Sequence, residues 1–268
     1  MNTVSSGPDR NSNETNRIGL HIMSSKKLNK PRRTALKQRE AKNTREVQYQ
    51  RSIDIADEIG LTTLGLMTNQ AWQDDPKHLL FTLSRYKFVA KMLAGRENVL
   101  EVGCADAFGT RIVLQEVGRL TATDFDPVFI ADVKSRMHKK WKFECEQHDM
   151  LSGPYPGQFD GAYALDVIEH IVPKNEALFV ANIVRSLTNH GTLILGCPSV
   201  QSQAYASPPS KAGHVNCKDG GDMRALLQQF FHNVFVFSMN DEVVHTGFFP
   251  MAHYIIGVGC GKKKRASL

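Results

Sequence analysis

Val99-Leu-Glu-Val-Gly-Cys-Ala-Asp-Ala-Phe-Gly-Thr110, followed by Thr121-Ala-Thr-Asp-Phe-Asp-Pro127, decides how the rest of the chain reads. Each stretch is a short apolar run of strand character that ends on an acid, Glu101 in the first and Asp124 in the second. The first run leads into a turn at Gly103, and Asp124 follows 21 positions later, about the length of one βα unit. Gly103 lets the backbone leave its strand with a positive φ or a close approach that a β-carbon would obstruct. The small Ala105 and Ala107 keep the turn narrow enough for a ligand to lie against it.

A strand, a glycine turn, a helix and a second strand closing on an acid form the arrangement that holds a ribose-bearing cofactor. Glu101 separates the possible cofactors. A dinucleotide sets a doubly charged pyrophosphate over the first turn, where Glu101 and Asp106 would oppose it, whereas an ammonium and a sulfonium would be welcomed. These residues resemble the class I S-adenosylmethionine-dependent methyltransferases, and in particular the small-molecule O-methyltransferases similar to the ubiquinone-biosynthesis type. The family's first motif, acid-x-Gly-x-Gly-x-Gly, is matched by Glu101, Gly103, Ala105 and Ala107, with alanine standing for two of the glycines. The resemblance covers roughly residues 80–260 and implies S-adenosyl-L-methionine as cofactor. It implies that Glu101 contacts the methionyl amino group directly or through water, that Asp124 holds the ribose and that Phe125 packs on the adenine face. By the same resemblance Asp149, in Gln147-His-Asp-Met150, accepts from the adenine amino group. Asp166, at the tip of the fourth strand, is expected either to line the pocket near the methionyl end or to cap the turn that follows it.

Outward from this centre the apolar periodicity predicts strands over 98–102, 120–123, 142–146, 161–164, 191–196, 234–239 and 252–259. Helices are predicted near 109–117, 128–137, 175–187 and 219–229, with helical spacing also over 47–66 and 78–93. Strands alternating with helices give an α/β, Rossmann-like, doubly wound and mostly parallel seven-stranded sheet. The last two strands lack a helix between them and are expected to form an antiparallel hairpin at the sheet edge. Residues 1–45 read as a basic tail too poor in apolar side chains to offset its ordering entropy, and 46–268 as the methyltransferase domain, with capping helices over 46–95.

The chain has 268 residues, 41% hydrophobic, enough for one full core. Its net charge of +6 is uneven: residues 1–50 carry a local +7, and residues 51–268 a local −1. A tail of that charge is expected to be solvated, although contact with nucleic acid through it is the one route to such a partner. The five cysteines are odd in number and scattered without a CxxC pair, which speaks against a disulfide framework or a zinc knuckle and for reduced thiols in a cytoplasmic protein. No apolar run reaches the ~20 residues of a membrane span, and the opening Met1-Asn-Thr-Val-Ser-Ser lacks the order of a secretion signal.

Methyl transfer from a sulfonium is an in-line displacement, so much of the catalysis is alignment. A hydroxyl acceptor also needs a base. His170, just past the fourth strand, and His214, in Lys211-Ala-Gly-His-Val-Asn216, are the candidates, each against a plain structural reading as a histidine bonded locally. His245 and His253 fall in the terminal hairpin and read as structural. No metal is expected, because neighbouring Glu169 and His170 point different ways on a helix and no third ligand is spaced to match. Arg85 and Tyr86 could serve the cofactor's carboxylate or be helix surface and core, respectively. The fourth strand continues as Leu165-Asp-Val-Ile-Glu-His170, without the Asn/Asp-Pro-Pro-aromatic run of enzymes that methylate amines on nucleic-acid bases, so the expected reaction is O-methylation of a small hydroxylated acceptor such as a sugar, lipid or polyketide-like molecule. The alternatives are an RNA methyltransferase, suggested by the tail, and a non-catalytic binding module, suggested by the two alanines. A dinucleotide oxidoreductase is opposed by Glu101 and the closing hairpin.

Overall fold

The computed structural model describes residues 43–264, so the basic tail lies almost wholly outside the described residues. The chain divides into two units, Met1–Gly60 and Leu61–Leu268. In the first, a 3₁₀ turn at Val47–Tyr49 leads into α1 (Gln50–Ile59). The helical spacing expected to run through 47–66 is broken here, because Gly60 takes φ 80° and ends the helix.

The second unit opens with α2 (Leu66–Asp74) and α3 (Pro76–Met92), the latter started by a proline whose missing N–H costs nothing at a helix's first turn. Then follow β1 (Asn98–Val102), α4 (Thr110–Leu114), β2 (Arg119–Asp124), α5 (Pro127–Ser135), β3 (Glu144–Gln147) and β4 (Phe159–Leu165). After these come α6 (Glu176–Ser186), β5 (Leu187–Pro198), α7 (Pro208–Gly213), α8 (Gly220–Gln228), β6 (Phe231–Asn240), β7 (Val243–His245) and β8 (Tyr254–Lys262). The sheet order is β3-β2-β1-β4-β5-β8-β6-β7, with β1 to β5 parallel and β8 antiparallel to both of its neighbours.

Two details differ from the sequence expectation. Among the described residues there are eight strands, because the three-residue β7 pairs antiparallel with β6. The last long strand also does not stay at the edge but enters between β5 and β6. Its composition explains the position: Tyr254, Ile255, Ile256 and Val258 are all buried, so both faces of β8 need cover, which an interior place supplies.

The core lies on both faces of the sheet, following the period of two along each strand. Leu100, Leu193, Leu195 and Ile255 pack with Phe179, Ile183, Met223 and Leu227 on the face of α6 and α8. Val99, Ile194, Tyr254 and Ile256 pack with Val89, Leu93, Val113 and Ile130 on the face of α3, α4 and α5. The carboxyl ends of β1 to β5 share one edge, and the order reverses between β1 and β4, where open α/β sheets leave a crevice.

One wall of that crevice is fastened by a carboxylate. Asp106, in the loop after β1, accepts from the Thr68 amide at 2.7 Å and from its hydroxyl at 3.2 Å, which caps the first turn of α2 in place of Gly65. A β-carbon on Gly65 would lie 2.4 Å from the Asp106 side chain, so only glycine admits this approach. Arg136 donates to the Asp106 carbonyl at 2.9 Å and pairs with Asp132 at 2.5 Å. Asp106 is therefore not the free anion at the mouth that its place in the motif suggests; it is buried and committed to α2. Asp106→Ala is expected to lower stability by about 1–2 kcal/mol, with Asp106→Asn recovering part of the loss, both read by thermal unfolding.

Candidate active site

The glycine turn is built by three residues in the left-handed region: Gly103 at φ 75°, Ala105 at 44° and Ala107 at 50°. Two of them carry a β-carbon there at a cost of roughly 1–2 kcal/mol each. The turn is held from β2. Thr123 accepts through its carbonyl from Gly103 N at 2.8 Å and Cys104 N at 3.0 Å. Asp124 accepts through its side chain from Ala105 N at 2.8 Å and Asp126 N at 2.9 Å. A β-carbon on Gly103 would lie 2.3 Å from Val167, so the turn also rests on the segment after β4.

Asp124 is 7% exposed and keeps lone pairs beyond the two it commits to these amides. Phe125 is 70% exposed beside it, a large aromatic that the core does not use. Asp149 sits in the turn beyond β3, where one of its oxygens accepts from Leu151 N at 2.8 Å, and the residue is exposed.

Glu101 lies deeper than its motif position suggests, at 1% exposure. Its oxygens accept from the Tyr86 hydroxyl at 3.0 Å and the Thr110 hydroxyl at 2.6 Å. Burial pushes its pKa up to about 7, the Thr110, Tyr163 and Tyr86 hydroxyls work against the rise, and the Asp124 charge adds to it. In this conformation Glu101 has almost no surface for direct contact with a ligand and forms the floor of the crevice. Tyr86 accordingly belongs to the core and to Glu101.

Asp166, at φ 57°, follows β4, and its two oxygens each accept from Arg85 Nη1 at 2.8 Å. Arg85 is buried, and its guanidinium lies 3.8 Å over the Tyr254 ring. Arg85 is thus neither helix surface nor a free anchor for a ligand's carboxylate; it is spent on Asp166 and Tyr254. Asp166 is held by this partner and does not act as a helix cap.

The two candidate histidines, 44 positions apart, meet at ring centroids 5.2 Å apart. His170 ends a 3₁₀ turn at Ile168–His170, and His214 follows α7. The segments are pinned by Val215 N and Asn216 N, which donate to the Glu169 carbonyl at 2.8 and 3.0 Å. His170 Nδ1 lies 3.0 Å from the Gly213 carbonyl, and His214 Nδ1 lies 2.9 Å from Gln203 Oε1. Burial lowers the His214 pKa, the neighbouring His170 lowers it further, and Asp166 opposes both. His245 is held inside its hairpin by Asn240 and Gly247, and His253 accepts from Asp241 N. Among the described residues Glu169, His170 and His214 form a cluster with their ligand-capable atoms within 4.8 Å of one another, so the fold supplies the third group that sequence spacing lacks. Sequence reasoning also missed Thr110, Tyr163 and Gln203, whose residue types carry no signal until the loops close on them.

Two outcomes follow. Ala105→Gly and Ala107→Gly are each expected to raise stability, by up to about 1 kcal/mol, because relief of left-handed strain exceeds the added chain entropy. Thermal unfolding reads this, and a loss of stability would contradict the strain. For Glu101, a pKa raised from 4.5 to about 7 means that the folded state binds the extra proton. Its stabilising contribution is complete below pH 4.5 and is lost as pH rises through about 7. Wild-type protein should therefore lose about 3 kcal/mol across that window relative to Glu101→Gln, measured by denaturant unfolding over the pH series.

Residues 100–195 match the family described as "Methyltransferase domain". The chain is 29% identical over 148 residues to a "Probable S-adenosylmethionine-dependent methyltransferase" of Mycobacterium tuberculosis (strain ATCC 25618 / H37Rv), a match covering 53% of this chain and 52% of that protein. A relative of similar name from Mycolicibacterium smegmatis (strain ATCC 700084 / mc(2)155) is 27% identical over 145 residues, covering 53% and 54%. The chain spans about half the length of the curated relatives it matches. Among solved structures, the N-methyltransferase NodS from Bradyrhizobium japonicum WM9 in complex with S-adenosyl-L-homocysteine superposes with a TM-score of 0.52 at 18% identity, covering 72% of this chain and 91% of that one. The complex of DhpI with S-adenosylhomocysteine gives a TM-score of 0.55 at 12% identity, covering 74% and 92%. The strand order, the antiparallel β8 and these likenesses together define a Rossmann-like methyltransferase fold.

Proposed function

We propose that this protein is an S-adenosylmethionine-dependent methyltransferase acting on a hydroxyl oxygen of a small acceptor. The observation that carries the reading is the crevice at the β1/β4 switch, where the strained turn at Gly103, Ala105 and Ala107 is drawn onto the Asp124 carboxylate. Its residues fit an adenosine. Asp124 has acceptor capacity left for ribose hydroxyls, the exposed Phe125 offers a face to a base, and Asp149 offers a free oxygen to an exocyclic amine. The Asp124 carboxylate, with Glu101 beneath it able to ionise near neutrality, suits a cationic methionyl end. The match to the methyltransferase domain family over residues 100–195 and the named relatives support the same reading.

When bound, S-adenosylmethionine supplies a methyl group on a positively charged sulfur, the sulfur keeping the bonding pair as the acceptor oxygen takes the methyl. The residues of this chain hold the turn, orient the ribose and exclude water from the interior around Glu101. His170 and His214, side by side beyond β4 and β5, are placed to receive the acceptor's proton. This pair, with the absence of an Asn/Asp-Pro-Pro-aromatic run after β4, favours oxygen over a ring amine as the acceptor.

Calorimetric titration with S-adenosylhomocysteine should give a dissociation constant in the range of roughly 1 μM to 1 mM. Asp124→Asn, which keeps an acceptor for Ala105 N, should weaken it by at least about tenfold. Absence of binding at millimolar ligand would remove the proposal. Transfer of a labelled methyl group to small molecules of a cell extract, with a Glu101→Ala/Asp124→Ala double variant as blank, then identifies the acceptor by its gain of one methylene in mass. Label recovered only on nitrogen, or only on RNA, would refute the hydroxyl acceptor.

A further inference from the structure

We infer that Glu169, His170 and His214 form a binding site for a divalent first-row metal ion that takes nitrogen and oxygen donors, of the zinc, cobalt or manganese type. One carboxylate and two imidazoles are a donor set that such ions share, and the ligand-capable atoms of all three residues lie within 4.8 Å of one another. Bonds of about 2.0–2.2 Å need donors closer than that limit, and the exposed His170 ring can pivot about its Nδ1 bond to the Gly213 carbonyl.

Two independent observations point to an ion. The first is an orphaned oxygen. Glu169 is 1% exposed, and its Oε2 has no hydrogen-bond partner. Arg85, the cation whose charge reaches it, is already bound to Asp166 at 2.8 Å. A buried carboxylate oxygen without a donor is costly, and a bound cation removes that cost. The second is the state of the two rings. Each Nδ1 faces a carbonyl oxygen, that of Gly213 for His170 and that of the Gln203 side chain for His214. The Gln203 amide is itself oriented by donation from its Nε2 to the Ser199 carbonyl at 3.3 Å. Both rings therefore carry the proton on Nδ1 and present the Nε2 lone pair, the tautomer and the outer hydrogen bond that metal-bound histidines use.

The backbone completes the case for a built site. Val215 N and Asn216 N fasten the His214 segment to the Glu169 carbonyl, so the donors are brought together by main-chain bonds and not by chance contact of side chains. A three-donor site leaves coordination positions open. On the methyltransferase reading, which this use of the ion rests on, those positions would take an acceptor whose hydroxyl neighbours a second oxygen; the ion would lower that hydroxyl's pKa so that its proton passes to water, and with the ion bound the two imidazoles act as ligands and not as bases. Binding of the ion itself does not depend on that reading.

The test uses the full chain, freed of metal by a chelator and carrying no histidine tag, titrated with cobalt(II) chloride under visible absorption and with manganese(II) chloride by calorimetry. One saturable ion per chain is expected, with a cobalt absorption band of nitrogen and oxygen ligation. Glu169→Gln and His214→Ala should each weaken binding by at least about tenfold, and Gln203→Leu, which removes no ligand, by roughly 10–100-fold. Thermal melts and S-adenosylhomocysteine titrations on the same samples show that the variants are folded. No saturable binding at millimolar ion, or unchanged affinity in all three variants, would overturn the site. Loss of homocysteine-ligand binding in wild-type protein would instead count against the proposed function alone.

Discussion

The Asp124 carboxylate is the constraint on which the rest of the crevice depends. By accepting from Ala105 N and Asp126 N it ties the turn after β1 to the turn after β2, and it does so at 7% exposure, where a charge-assisted bond is worth more than in water. The loop it holds is not one the chain would adopt unaided, since Ala105 and Ala107 both sit at positive φ. The strain and the carboxylate are two sides of one arrangement: the loop's amides turn inward because an anion waits for them. On the proposed methyl transfer, which depends on alignment, this turn is where the alignment would begin.

Around that point the buried charges of the sheet edge fall into three cases. Arg85 and Asp166 are paired through Nη1 with the guanidinium over Tyr254, so their charges answer each other although Arg85 Nε and the Tyr254 hydroxyl have no partner. Glu101 has no cation and is answered by the hydroxyls of Tyr86 and Thr110, which leaves its proton loosely decided near neutrality. Glu169 has neither cation nor hydroxyl for its Oε2. The charges thus grade from paired to unpaired along the sheet edge, and the unpaired carboxylate lies beside the two histidines.

The fold was legible because its signals are local. Apolar runs ending on Glu101 and Asp124 mark β1 and β2, and the alternation of strands and helices that follows needs no knowledge of distant contacts. The placement of β8 was less legible, because a hairpin pattern says that two strands are antiparallel and not which of them is inserted; burial on both faces of Tyr254, Ile255 and Ile256 decides that. Within the site, Asp124, Phe125 and Asp149 stand at strand ends as their spacing indicates. The depth of Glu101, the commitment of Asp106 to Thr68 and the burial of Arg85 depend on which helix packs over the strand ends, and α2 and α3 leave no mark of that in the motif. The meeting of His170 and His214 is a long-range event of the same kind, produced by two amides donating to one carbonyl.

The insertion of β8 has a consequence for how the molecule comes into being. β5, at the centre of the finished sheet, takes its second neighbour from the last strand of the described chain. Until residues 254–262 are in place, β5 presents a long apolar ladder with one side unpaired, the kind of edge that recruits strands from other molecules. The crevice is thus drafted by β1 to β5 on a sheet still unsealed, and it can become rigid only once β8 has inserted.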